Sequence, residues 1–203
     1  NYRALGDGTS TNRSTPVGVV NLTNIKDIDT GGSLSCAVHD NGSVACWGQY
    51  LSYANSPYSV AAGYYNYPTW ISGISNVKSI GIGTSSGHVC VLHDNSTVTC
   101  WGKNGNYGQL GIGSKTLWTT SSKPQNVPGL TGVVSLTVRD DTSCVVLTGG
   151  GVKCWGSGYG ESPVSVSGIT TATQISFGSS HRCARLSDST IKCWGSGWQG
   201  QLG

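Results

Sequence analysis

The sequence has no methionine, one phenylalanine and one glutamate among its 203 residues. Charge of either sign is scarce: Asp, Glu, Lys and Arg make up 10 % of the chain, against roughly 25 % in an ordinary soluble domain. The single glutamate is Glu161, and several aspartates, Asp40, Asp94 and Asp188 among them, sit at turn positions, so a general acid/base pair is hard to assemble. Lysines and arginines are scattered singly from Arg3 to Lys192, and the net charge of +3 includes no basic run that could track a phosphate backbone. This argues against a nucleic-acid partner. No stretch approaches the roughly 20 continuous apolar residues of a bilayer-spanning helix, which argues against membrane insertion, and residues 1–20 lack a basic-then-apolar leader. The chain reads as a processed or excised piece of an exported protein.

Glycine and cysteine are plentiful, at 31 and eight positions, and 36 % of residues are hydrophobic. That composition supports a real core in an all-β, turn-rich fold rather than disorder. The cysteines fall into four copies of one spacing, C-x9-C followed by Trp-Gly: Cys36 with Cys46, Cys90 with Cys100, Cys144 with Cys154, and Cys183 with Cys193. First cysteines are 54, 54 and 39 residues apart, so the unit is constant while the connecting segments absorb insertions and deletions.

Between each pair of cysteines, alternating residues flank a central turn, Asp40-Asn41-Gly42 in the first copy. A three-residue loop pairs position 39 with 43, 38 with 44, 37 with 45, and Cys36 with Cys46. Opposed residues in the closer, non-hydrogen-bonded register have Cα atoms roughly 4.5 Å apart, within disulfide range. Zinc knuckles and redox motifs need shorter spacings, so we expect four stapled hairpins, no metal and no cofactor. Such staples imply an oxidising compartment.

A further strand precedes each hairpin, at Ile25–Thr30, Val77–Ile82, Val133–Val138 and Thr173–Phe177. A fourth follows at Lys123–Val127 and, by alignment, at Thr15–Val20. Four short antiparallel strands per repeat form a propeller blade. The stretch VKSIGIGTSSGHVCVLHDNSTVTCWGKNGNYGQLGIG, residues 77–113, resembles one repeat of the regulator-of-chromosome-condensation family, as does ALGDGTSTNRSTPV at residues 4–17. The resemblance extends over essentially the whole chain and implies a β-propeller, usually seven-bladed, that acts as a rigid platform for protein partners. Intracellular members are nucleotide-exchange factors and chromatin binders, and secreted bacterial relatives include β-lactamase inhibitors. No partner-binding residue of those proteins matches a position here, and the paired cysteines depart from the intracellular pattern.

The expected domain is therefore one array of repeats over residues 1–203, incomplete at both ends, with about four blades. Asn1–Gly6 aligns with Asn106–Gly111, and Gln201–Gly203 reaches the same motif. Three arrangements fit: a fragment of a larger propeller, a four-bladed ring closed by its N-terminal strand, or subunits that lend this strand head to tail.

The least repeat-like segment, residues 50–70, holds six of the nine tyrosines. Tyr50, Tyr53, Tyr58, Tyr64, Tyr65, Tyr67 and Trp70 offer amphipathic contact area at low entropic cost, making them the expected partner-binding residues, with blade-covering packing as the alternative. Sequons place candidate glycosylation at Asn12, Asn21, Asn41 and Asn95. His88 and His181 share one repeat position and read as structural, as do His39 and His93 at hairpin ends. The four Cys-Trp tryptophans read as packing between neighbouring sheets. Asp140 and Asp141, adjacent in a loop, are a minor cation candidate. We thus expect a secreted or cell-surface, non-catalytic platform for protein or cell-surface partners, including copies of itself. A structural fibre or surface-layer unit, and a lectin or enzyme with its site on the propeller face, are the alternatives.

Overall fold

In a computed structural model of the chain, residues 3–50, 63–84, 87–115 and 119–203 are described. They form four antiparallel sheets in chain order. The first blade contains β1 (Ile25–Gly31), β2 (Leu34–His39), β3 (Val44–Tyr50) and β4 (Gly63–Trp70). The second contains β5 (Val77–Ile82), β6 (Val89–His93), β7 (Val98–Asn104) and β8 (Thr119–Asn126). The third contains β9 (Val133–Arg139), β10 (Thr142–Leu147), β11 (Val152–Gly156) and β12 (Gly160–Ser165). The fourth has three strands, β13 (Ala172–Phe177), β14 (His181–Leu186) and β15 (Ile191–Gly195).

The hairpin register follows from the three-residue turn. In the first blade Val38 lies opposite Val44, Ala37 opposite Ala45 and Cys36 opposite Cys46, and the His39 amide donates to the Ser43 carbonyl at 2.9 Å. The hydrogen-bonded 39/43 pair leaves the cysteines in the close, non-hydrogen-bonded register. The other three hairpins repeat this register: Cys90 faces Cys100, Cys144 faces Cys154, and Cys183 faces Cys193. All four expected pairs are disulfide-bonded, Cys36 to Cys46, Cys90 to Cys100, Cys144 to Cys154 and Cys183 to Cys193, each with Cα atoms 4.1 Å apart.

Trp-Gly after each second cysteine has a backbone reason. Gly48, Gly102, Gly156 and Gly195 have φ between 92° and 114°, a region that side chains rarely enter. A Cβ on Gly102 would stand 2.6 Å from the Gly87 carbonyl.

Three hydrophobic clusters lie between sheets rather than within them. Val38 and Val44 of the first blade pack with Val77, Ile80 and Trp101 of the second. Leu92 and Val98 of the second join Val145 and Trp155 of the third, with the staple of Cys90 and Cys100 inside the same cluster. Val146 and Val152 of the third join Ile175 and Leu186 of the fourth. The first strands β1, β5, β9 and β13 run side by side through the array, and polar side chains stitch two of these seams. The amides of Ile80 and Ile82 donate to Asp27 Oδ2 at 2.8 Å and Asp29 Oδ2 at 2.7 Å. In the same way Thr137 Oγ1 donates to the Ile175 carbonyl at 3.3 Å. Burial raises the pKa of Asp29, partly offset by the amides it accepts.

One expected strand is not formed: Thr15–Val20 carries no strand pairing. No described strand pairs with it. The fourth blade, conversely, has three strands where the repeat pattern has four.

Candidate functional site

In an antiparallel sheet of consecutive strands, the first and third connections share one end and the hairpin turn occupies the other. Asp140 and Asp141, the segment before His88 and the Gly105–Gly113 loop therefore lie at one end of the blades. The turns carrying Asn41, Asn95 and Asp188 lie at the opposite end.

At the first end, His88 is fully buried between the second and third blades. Its Nε2 lies 3.1 Å from Ser143 Oγ, which is also 3.7 Å from Cys90 Sγ. Burial pushes the imidazole pKa down from 6.5 to about 4, against a smaller upward pull from the Asp141 carboxylate. His88 is thus a neutral link between blades. A Ser hydroxyl beside His with a carboxylate nearby has the composition of a nucleophilic triad, but His88 and Ser143 are both 0 % exposed. Asp141 Oδ1 accepts from Gln109 Nε2 at 3.0 Å, and Thr84 Oγ1 donates to Asp140 Oδ1. Among the described residues no group of three or more His, Cys, Asp or Glu could hold a metal ion.

The tryptophans join neighbouring repeats through the Gly-Gln-Leu-Gly loop. Trp155 Nε1 donates to the Gln109 carbonyl at 3.0 Å, and Trp47 Nε1 donates to the Ala4 carbonyl at 2.9 Å. The third repeat is 15 residues shorter than the second and lacks this loop. Trp194 Nε1 donates instead to the Tyr159 hydroxyl at 2.7 Å, and the Arg182 guanidinium lies 5.5 Å from the ring centres of both Tyr159 and Phe177. Arg182 also donates to Thr142 Oγ1 at 3.0 Å. Sequence reasoning missed Tyr159 and Arg182. The signal available was the shortened repeat itself, which leaves one tryptophan without its usual acceptor.

Of the aromatic candidates, Tyr53 and Tyr58 and the side chains of Tyr50 and Tyr64 lie outside the described residues. Tyr65, Tyr67 and Trp70 are on β4, the outermost strand of the first blade. Tyr67 is 55 % and Trp70 49 % exposed, and the Trp70 ring meets His39 edge-on at 5.9 Å. His93 is held by Ser75 O and Thr99 Oγ1 at 3.0 and 2.8 Å.

All four sequon asparagines are exposed. Ser43 Oγ donates to Asn41 Oδ1 at 2.6 Å and Thr97 Oγ1 to Asn95 Oδ1 at 2.7 Å, leaving each amide nitrogen outside the turn bond. Thr190 makes the same contact with Asp188 at 2.7 Å, so the bond is turn chemistry and operates without a sequon.

Successive four-stranded antiparallel sheets packed face to face around adjoining first strands define a β-propeller array. Two models of the Regulator of chromosome condensation (RCC1) repeat match, over residues 97–146 and 77–109, and these matches support an RCC1-type β-propeller repeat family. Among solved structures it is similar to yeast RCC1 (Prp20) in its complex with Kap60, at 19 % identity and a TM-score of 0.69, covering 89 % of this chain and 46 % of that one. Human WBSCR16 matches at 18 % identity and a TM-score of 0.71, covering 88 % and 49 %. The CRINKLY WD40 ectodomain of the Arabidopsis thaliana receptor kinase ACR4 matches at 21 % identity and a TM-score of 0.50, covering 84 % and 50 %. The chain spans about half the length of these relatives.

Proposed function

We propose that this chain is a non-catalytic, extracellular platform that binds a protein or cell-surface partner through the aromatic edge of its first blade. The observation that carries this reading is Tyr67 and Trp70, large and half-exposed on an outermost strand whose blade is fixed beneath by the Cys36–Cys46 staple. Amphipathic rings on a rigid support are the residues that dominate protein interfaces. The four staples fit an oxidising compartment, and one relative with this fold is a receptor ectodomain. Another has been crystallised with a protein, Kap60. Burial of His88 and Ser143 favours a binding role over a catalytic one, and the reading requires no cofactor, metal, nucleic acid or membrane insertion.

The test is saturable binding of the labelled chain to cells of its source, compared with Tyr67→Ala and Trp70→Ala. Loss of binding by roughly tenfold or more in either variant, with an unchanged melting temperature, supports the reading. Equal binding by all three proteins refutes the aromatic edge as the contact.

A further inference from the structure

The seam between the second and third blades holds a pocket, bounded by the Gly105–Gly113 loop and the turn from β9 to β10, and we propose that it binds a primary ammonium group. The proposal uses neither Tyr67 nor Trp70 and does not rest on the platform reading.

The first observation is a buried acceptor. Gln109 is 1 % exposed, and its Nε2 donates to Asp141 Oδ1 at 3.0 Å. That contact fixes which way the amide points, because the flipped amide would set its oxygen against a carboxylate. Gln109 Oε1 is then buried, and among the described residues no donor reaches it. Buried polar atoms in folded proteins almost always have a partner, so this oxygen calls for a donor from outside the chain.

A second, independent observation is the carboxylate beside it. Asp141 stands three residues before the first cysteine of its hairpin, where the other three copies have Ser33, Gly87 and Ser180. The ion pairs among the described residues are Arg13 with Asp7 and Lys115 with Glu161, and neither involves Asp141. Its neighbour Asp140 accepts from Thr84 Oγ1 instead. Gln109 departs from the repeat as well, since the aligned N-terminal loop carries Ala4 at that position and the third repeat lacks the loop. The pairing of amide and carboxylate therefore occurs at this seam and at neither the first nor the fourth blade.

The third observation is room. Lys103, Gly105, Asn106, Tyr107, Gln109 and Asp141 line a pocket of about 80 Å³, several times the roughly 10–15 Å³ that one water needs. Gly105 keeps it open. Its φ is not positive, so the backbone does not demand glycine there. A Cβ on Gly105 would stand 3.5 Å from Gln109 Nε2 and 3.8 Å from Oε1, inside the space above the amide. The walls are braced: Asn104 Oδ1 accepts from the Leu110 amide at 3.2 Å, and Asn104 Nδ2 donates to the Ser114 carbonyl at 2.9 Å.

These groups select the occupant. An anion would face Asp141, and an apolar group would leave Gln109 Oε1 unpaired. Calcium takes roughly six to eight oxygens, whereas one carboxylate lines this pocket. A primary ammonium supplies both the charge that Asp141 attracts and N–H donors for the two oxygens. Tyr107, 47 % exposed, is an aromatic neighbour suited to a cation and its alkyl stem. Lys103 also lines the pocket, and its like charge opposes the ligand. Such a group is carried by the lysines of a partner protein and by free amines.

The experiment follows the Gln109 side-chain amide by proton–nitrogen NMR of the full, oxidised chain during titration with methylammonium chloride. Tetramethylammonium chloride, of equal charge and without N–H donors, is the control. A saturable shift with methylammonium alone is expected. Asp141→Asn keeps an oxygen for the Gln109 amide and should keep the wild-type melting curve, yet weaken methylammonium binding by roughly tenfold or more. Lys103→Gln should act in the other direction and tighten it, which a purely structural pocket would not show. Nα-acetyl-lysine amide separates the two sources: saturation at lower concentration than methylammonium assigns a protein lysine, and saturation at the same or higher concentration assigns a free amine. A shift that never saturates, that tetramethylammonium reproduces, or that Asp141→Asn leaves unchanged overturns the proposal and makes the pocket a site for water.

Discussion

Acidification should loosen the seam between the second and third blades through one residue, His88. Its imidazole is fully buried, and its pKa falls from 6.5 to about 4 chiefly because burial penalises the cation. Above pH 6.5 the imidazole is neutral whether the chain is folded or unfolded, and it contributes no pH dependence. Between 6.5 and about 4 the unfolded chain binds a proton that the folded chain refuses, so stability is lost as the pH falls through this window. The gap corresponds to about 3 kcal/mol at its lower end, a large share of the roughly 5–15 kcal/mol that holds an ordinary domain together. Asp29 acts in the opposite sense, since its raised pKa makes the folded chain take up a proton first. Asp7 and Asp188, held down by the hydroxyls of Thr9 and Thr190, lose their contribution only as the pH falls through the lower carboxylate range.

A His88→Gln variant isolates the effect, because it retains an amide near Ser143 and does not titrate. Guanidinium unfolding of both proteins should show wild type losing about 3 kcal/mol more than the variant between pH 7 and pH 4. Parallel profiles would refute the burial argument and mean that water or a rearrangement accommodates the charged ring.

Two further changes probe the seams and staples. Trp155→Phe removes the donor to the Gln109 carbonyl and part of a fully buried ring, and should cost about 2 kcal/mol in chemical unfolding, whereas Trp194→Phe, beside a half-open groove, should cost less. Replacing Cys144 and Cys154 together by alanine opens one staple and should lower stability by about 2–3 kcal/mol without altering the strand content seen by circular dichroism.

The repeat made the strand plan legible because the constraint is local. A fixed C-x9-C spacing with a three-residue turn leaves one pairing that puts cysteines face to face, and the strand before each hairpin follows from the same alternation. Contacts between blades were not legible in that way. Asp27 and Asp29 look like surface charges on an alternating strand, and only the adjacency of β1 and β5 reveals that they accept backbone amides. His88 read as a structural residue, but its partner, the Ser143 hydroxyl, is 55 positions away in the next blade. Tyr159 replaces a lost loop through a single hydroxyl, which no periodicity encodes. Thr15–Val20 has the composition of its aligned strands and still forms none, because a strand exists only beside a neighbour.

The measurement that most directly tests the account of a stapled extracellular propeller is the intact mass of native, unreduced protein. Four bridges among eight cysteines predict a mass lower by eight hydrogens than the reduced chain, with no thiol open to alkylation before denaturation or after it. Eight alkylatable thiols in the native material would contradict both the staples and the oxidising compartment inferred from them.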